Sequence, residues 1–238
     1  MNIILLEKTD WSDSDHVVLR DHRLGHLRGV LKAELGATLK VGLVNGDAGT
    51  GQVVRINDSE ACLCVTLDQA PPPRHPSDLV LALPRPKMLR RVFRTVAEMG
   101  VSALHLIHSA RVEKSYWQSP LLQPERVDAA LRAGLERSGD TRLPTVHMHS
   151  RFRPFVEDQL PQLIRDRDCW IAHPGATDSL AHKPSGGIIM LGPEGGFVPF
   201  EVELAQVQGA HPVHLGARIL SVDTAVPAAL SLTMGNGV

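Results

Sequence analysis

Two short stretches of the chain hold residue types that could bind a ligand. The first is Gly186-Gly187-Ile188-Ile189-Met190-Leu191-Gly192-Pro193-Glu194-Gly195-Gly196-Phe197. An apolar strand runs straight into a turn with three glycines, and a helix follows. In open α/β sheets ligands bind at the carboxyl ends of strands. Glycines there let the backbone approach a ligand closely and donate N–H groups to it. A tight connection without a ligand explains the same residues equally well. The turn lacks the Lys-Ser/Thr of a phosphate-binding loop, and its spacing is not that of the dinucleotide fingerprint. The second stretch is Leu215-Gly216-Ala217-Arg218-Ile219-Leu220-Ser221-Val222-Asp223-Thr224-Ala225. Asp223 or Thr224 could cap a helix there. Arg218 stands among apolar neighbours and must find an acceptor.

Two further groups carry charge or metal-ligand atoms. Arg85, Lys87, Arg90, Arg91 and Arg94 form a cationic run with no acid between. On a helix, the last four share a face opposite the apolar stripe. That is either a solvated face or a phosphate-tracking surface; Arg20, Arg23 and Arg28 could extend it. The chain has twelve histidines. His147 and His149 share a strand face, while His105 and His108 do not. None has Cys, Asp or Glu partners at ligand spacing, so no metal site is expected. His173 is of interest because it falls at a strand end.

The elements that must position these residues divide into two regions. Residues 1 to about 70 are mostly β, with strand-like runs at Leu39–Val44, Gly51–Ile56 and Ala61–Leu67, linked by turns at Asn45-Gly46-Asp47 and Asn57-Asp58. Short, turn-linked strands suggest a small barrel. The stretch Gln69-Ala70-Pro71-Pro72-Pro73-Arg74-His75-Pro76 continues neither helix nor strand, so a domain boundary is placed there, dividing 1–72 from 73–238. Beyond it, strands at Leu79–Leu83, Leu104–Ile107, Val146–His149, Cys169–Ala172, Ile188–Leu191 and Val213–Leu215 alternate with helices at Lys87–Met99, Pro124–Leu135, Pro199–Gln208 and Ala225–Met234. That alternation predicts an α/β fold with a mostly parallel sheet covered on both faces.

Composition narrows the function classes. The 238 residues are 43% hydrophobic and 21% charged, with a formal net charge of -1. Any affinity for nucleic acid must therefore come from local patches. The three cysteines, Cys62, Cys64 and Cys169, imply no disulfide framework, which fits a reducing cytoplasm. The start, Met1 to Asp10, lacks the basic leader and long apolar core of a signal peptide, and no window has the apolar length of a membrane span.

The glycine turn followed by Leu215–Ala225 resembles the two C-terminal motifs of the ribosomal RNA small-subunit methyltransferase E family, part of the SPOUT superfamily. The likeness extends upstream, in order, to Ala97-Glu98-Met99-Gly100, to Glu136-Arg137-Ser138-Gly139-Asp140-Thr141-Arg142-Leu143-Pro144 and to His26-Leu27-Arg28-Gly29-Val30-Leu31-Lys32. The resemblance implies a small N-terminal PUA-like β-barrel that binds RNA and a C-terminal SPOUT α/β domain with a trefoil knot. It implies S-adenosylmethionine as cofactor and N3 of uridine 1498 of 16S ribosomal RNA as the methyl acceptor. The cofactor would lie between Ala172-His173, the loop with Leu191, Gly192, Glu194, Gly195 and Gly196, and the loop with Leu215, Gly216, Ile219 and Leu220. Arg218, Thr224 and Arg142 would be catalytic. Arg23, Arg28, Lys87, Arg90, Arg91 and Arg94 would contact RNA. The partners implied are small-subunit RNA or the assembled subunit, and a second copy of the chain in a cytoplasmic homodimer.

Some positions depart from the family pattern. Arg137 replaces a glutamine, Asp140 and Ser221 replace arginines, Val222 a threonine and Asp223 a glutamate. An arginine forks onto phosphate in a way that serine and aspartate do not. The departures fall on the substrate side, leaving two alternatives open: a non-catalytic RNA-binding or assembly paralogue, and a methyltransferase with a different RNA acceptor.

Overall fold

The computed structural model describes residues 2–234 and divides them into two compact units. One holds the chain to Pro73 together with Arg132–Leu143; the other holds Arg74–Leu131 and Pro144 onward. The segment 132–143 thus belongs to the first unit, which a single cut after residue 72 leaves out.

The first unit is a five-stranded curled sheet in the order β1-β3-β4-β5-β2. Its strands are β1 (Ile4–Leu6), β2 (His16–Leu19), β3 (Thr38–Leu43), β4 (Ala48–Ile56) and β5 (Ala61–Gln69). β1 pairs parallel with β3, and the other pairings are antiparallel. β1 and β2 were not anticipated, because three or four apolar residues are too few to show a period. A helix, α1 (His22–Gly29), lies between β2 and β3, where only β structure was expected; Asp21 caps it by accepting from the Arg23 N–H. The core gathers Leu6, Val17, Leu19, Leu27, Val41, Val53 and Leu63, all fully or almost fully buried. The return segment brings Thr141 to this sheet. Its hydroxyl donates to the Gly46 carbonyl at 2.5 Å, and the Asn45 side chain accepts from the Leu143 N–H at 2.9 Å.

The second unit is a six-stranded, wholly parallel sheet in the order β11-β9-β10-β6-β7-β8. Its strands are β6 (Ser77–Ala82), β7 (Ala103–Ile107), β8 (Thr145–His149), β9 (Cys169–Ala172), β10 (Gly187–Leu191) and β11 (His211–Val213). The helices are α2 (Pro86–Glu98), α3 (Pro124–Ser138, which runs on into the first unit), α4 (Phe152–Pro154), α5 (Leu160–Ile164), α6 (Pro199–Val207) and α7 (Val222–Thr233). α2 follows its sequence pattern. Pro86 opens it, Leu89, Val92, Phe93 and Val96 are buried, and Gly100 takes a left-handed φ of 70° just past its end.

Three features differ from expectation. The helical stretch 152–164 was not foreseen, since Pro154 and Pro161 argue against a helix. Pro161 has no N–H, and the turn before it widens so that the Leu160 N–H donates to the Phe155 carbonyl, a π-turn over Phe155–Gln159. The strand expected to end at Leu215 ends at Val213, which puts Leu215 in a loop. The last helix begins at Val222 rather than Ala225. Ser221 is its N-cap residue, with its carbonyl accepting from the Thr224 and Ala225 N–H groups at 3.0 and 2.8 Å; Asp223 and Thr224 lie inside the first turn. No described helix is long and apolar enough to cross a membrane.

Candidate functional site

The carboxyl ends of the adjacent strands β11, β9 and β10 open onto one pocket of about 310 Å³. Each strand contributes the loop that leaves it. β9 gives Ala172, His173 and Pro174; β10 gives Leu191 to Phe197; β11 gives His214 to Gly216, Arg218 to Leu220, and then Val222 and Ala225. The loops are braced by backbone bonds. The His173 N–H donates to the Val213 carbonyl at 2.9 Å, and the His214 N–H to the Asp178 carbonyl at 2.8 Å. The Gly196 N–H donates to the Pro193 carbonyl at 2.7 Å, closing the glycine turn.

Two glycines leave the pocket open. Gly196 has a φ of 72° and Gly216 a φ of 127°, and a Cβ at either would meet no atom within 4 Å. Both need the left-handed region, and both leave vacant the volume a side chain would take. Gly192 is different: a Cβ there would lie 3.0 Å from the Phe197 nitrogen, so this glycine serves close packing of the turn on itself. A volume of this size, walled by backbone polar groups and by Leu191, Leu215 and Leu220, lies in the range of small-molecule sites.

All eleven residues expected to hold a cofactor line this pocket, as does Arg218. Thr224 does not. It lies one residue before the lining Ala225, and its hydroxyl is 3.1 Å from that of Ser221 at the start of α7. Arg142 belongs to the first unit, where its Nη2 donates to the Pro72 carbonyl. Asp140 is buried and accepts from the Thr141 and Arg142 N–H groups at 2.6 and 3.0 Å, so this departure from the family pattern serves a backbone turn. Ser221 likewise serves a helix start. Asp223 is held below the usual carboxylate range by its bond with Ser221, with the facing Arg91 adding to the effect.

The expected RNA contacts separate. Lys87, Arg90 and Arg91 are exposed on α2, with Arg91 Nη1 3.4 Å from Asp223 Oδ2. Arg94 is half-buried, and its Nε has no partner among the described residues. Arg28 is exposed and pairs with Asp58. Arg23 requires a correction. It is only 7% exposed, and its guanidinium is used up by Asp10, Asp21 and the Leu5 carbonyl, so no donor remains for a phosphate. Sequence reasoning took its charge as a sign of exposure, whereas the acids at 10 and 21 make it an internal tie.

The pocket also has walls that sequence reasoning did not assign. Pro174, His214, Val222 and Ala225 simply flank assigned residues. Arg111 comes from elsewhere, in the turn after β7, and its Nη1 donates to the Gly195 carbonyl. The rule that functional residues follow strand ends could have found it, since β7 ends four residues earlier. His105, His147 and His149 form a separate cluster on β7 and β8. The His105 ring stacks 4.6 Å from His147, and its Nδ1 lies 3.1 Å from His149 Nε2. Burial, reinforced by the two neighbouring imidazoles, pushes His105 down to about 4. Among the described residues, no group of three or more His, Cys, Asp or Glu is arranged to hold a metal ion.

A parallel sheet with helices on its faces and glycine-lined loops at its strand ends defines a ligand-binding α/β protein. More narrowly, residues 71–234 match the model of the RNA methyltransferase domain family. Over 99% of its length the chain is 30% identical to the ribosomal RNA small subunit methyltransferase E of Treponema pallidum, spanning 91% of that protein. It is 28% identical to the protein of the same name from Synechocystis over 90% of this chain and 71% of that one. The chain belongs to the ribosomal RNA small-subunit methyltransferase E family. The same fold is found in the Neisseria gonorrhoeae enzyme of that name bound to S-adenosyl methionine, with a TM-score of 0.76 and 22% identity, covering 97% of this chain and 95% of that one. A Legionella pneumophila structure with bound cofactor SAM gives a TM-score of 0.77 and 20% identity, covering 98% and 96%.

Proposed function

We propose that this chain uses S-adenosylmethionine to methylate small-subunit ribosomal RNA at ring N3 of a uridine, position 1498 of the 16S molecule. The observation that carries this reading is the single pocket at the ends of β11, β9 and β10. It unites the glycine turn with the loop after β11, and the two open glycines leave room for a ligand against backbone donors. Leu191, Leu215 and Leu220 offer apolar surface to an adenine. Bound there, the cofactor supplies an activated methyl group on a sulfonium. The protein's own task is to hold the acceptor nitrogen in line and to favour loss of its proton. Arg218, exposed on the pocket loop, stabilises the anion left on the uracil ring in this reading.

The finer features of the family go with this reading. The first unit is a PUA-like RNA-binding barrel that uses Arg28, and the cations of α2 are RNA contacts of the second unit. The C-terminal chain forms a trefoil knot, supported by β10 lying between β6 and β9 and by α7 packing on both α2 and β10. The enzyme works in the cytoplasm as a homodimer. Ile219 supports the dimer, since it is 85% exposed on the pocket loop despite being apolar.

Calorimetry with S-adenosylhomocysteine is the first test, and absence of binding at millimolar ligand would overturn the reading. Labelled methyl transfer to undermethylated small subunits, followed by mass mapping of the modified nucleotide, is the second. RNA binding without transfer would favour the non-catalytic paralogue, for which the loss of arginines at 140 and 221 is the specific argument. A methyl group on another atom would assign a different acceptor.

A further inference from the structure

Among the described residues of the second unit, Glu201 is the one buried carboxylate, 3% exposed in the first turn of α6. Burying a carboxylate is costly unless it is well bonded. Oε2 accepts from the Val198 N–H at 3.0 Å, and this ties the acid to the start of its own helix. Helix capping accounts for that oxygen alone. Oε1 accepts from the Ala110 N–H at 2.7 Å, 91 residues away in sequence. Ala110 is in a tight turn closed by the Val112 N–H donating to the Ser109 carbonyl at 2.9 Å. Ser109 and Val112 are buried at the turn's ends, and Arg111 is exposed at its corner. From there the Arg111 side chain crosses the glycine turn. Its stem passes so close that a Cβ on Gly195 would lie 3.0 Å from its Cδ, and its Nη1 donates to the Gly195 carbonyl.

We propose that Glu201 is a positioning residue whose carboxylate ties Ala110 to the start of α6 and thereby seats Arg111 at the pocket, where its guanidinium meets an anionic group of the bound reactants. The proposal rests on the methyltransferase reading above. The two oxygens of one acid fix the distance between the turn after β7 and the helix after the glycine turn. Arg111 spends one donor on Gly195, and the rest of its fork suits a carboxylate or a phosphate. The carboxylate could be that of the cofactor's methionine moiety, and the phosphate that of the RNA.

A double-mutant cycle tests this. Ala110→Pro removes the N–H that Glu201 accepts from. Its ring also presses on the carboxylate, which is why Tm is read beside activity, although proline itself is favoured at the second position of a turn. Glu201→Gln and Arg111→Ala complete the set, with Tm read for each. Arg111→Ala, Glu201→Gln and Ala110→Pro should each lower kcat/KM by about tenfold or more. Adding Ala110→Pro or Glu201→Gln to Arg111→Ala should cost no more than about twofold further. A matching rise in the S-adenosylhomocysteine Kd assigns the cofactor carboxylate. A rise in KM for small subunits with that Kd unchanged assigns an RNA phosphate. Losses that multiply in the double variants, or Ala110→Pro with wild-type kcat/KM, would overturn the proposal. The wild-type arm separates the two readings. If wild type transfers no methyl group the function fails, and if it does while the cycle is multiplicative only the role of Glu201 fails.

Discussion

The two sheets expose their strands differently. In the first unit β4 alternates, with Gly49, Gly51 and Val53 buried and Thr50, Gln52 and Val54 exposed. In the second unit β10 is buried at all five positions. A one-sided sheet leaves polar side chains facing water along its length. A strand covered on both faces has only its ends to offer, and the pocket walls described above are such ends, the loops beyond them, and the first turn of α7 that follows the loop after β11. Arg23 in the first unit is an internal tie between two acids, while Arg111 and Arg218 in the second are exposed at the pocket.

The largest effect expected from this contrast comes from Arg23→Ala. It leaves Asp10, which is almost fully buried, without its ion-pair partner. Urea unfolding should show a loss of about 3 kcal/mol, with S-adenosylhomocysteine affinity unchanged in the folded protein. A loss below about 1 kcal/mol would mean that the first unit does not depend on this tie.

Next is the acid response of His105 in the second unit. Its pKa falls from 6.5 to about 4 on folding, with His147 and His149 on β8 opposing its protonation and Asp78 on β6 favouring it. Above pH 6.5 it is neutral in both states and its contribution is complete. As pH falls from 6.5 to about 4, the unfolded chain binds the extra proton and stability declines, by about 3 kcal/mol in all. Denaturant midpoints across that window should lose this slope in His105→Phe. An unchanged slope would place the acid sensitivity elsewhere.

The smallest effect on folding concerns Gly196→Val. Its left-handed φ should cost about 1 kcal/mol of stability, and its side chain should lower S-adenosylhomocysteine affinity by about tenfold or more, because it occupies the open space. Wild-type affinity in this variant would remove Gly196 from the ligand site.

The same contrast explains what could be read in the sequence. The glycine turn and the loop after β11 were legible because strand, turn and helix follow one another locally and the composition marks each. The boundaries at Val213 and Val222 were missed by two or three residues, since backbone bonds from Ser221 set the helix start and the sequence offered Asp223 and Thr224 as rivals. The return of 132–143 to the first unit depends on contacts such as Thr141 to Gly46, far apart in the chain, and no local pattern reports them. Arg111 and Glu201 were missed for the same reason, because each has its meaning through a partner in another element.

The pocket walls come from four stretches that are well separated in sequence, at Arg111 and around residues 173, 193 and 217. Partial or local order in any one of them cannot recreate the cavity. A molecule that occupies it therefore recognises only the completed second unit, and should delay melting in proportion to the logarithm of its concentration, by about 2.7 kcal/mol at a hundredfold excess over Kd. The pocket is thus a reporter of its own assembly, and thermal upshift across a small panel of nucleosides and sulfonium compounds would sort its ligands without any assay of turnover.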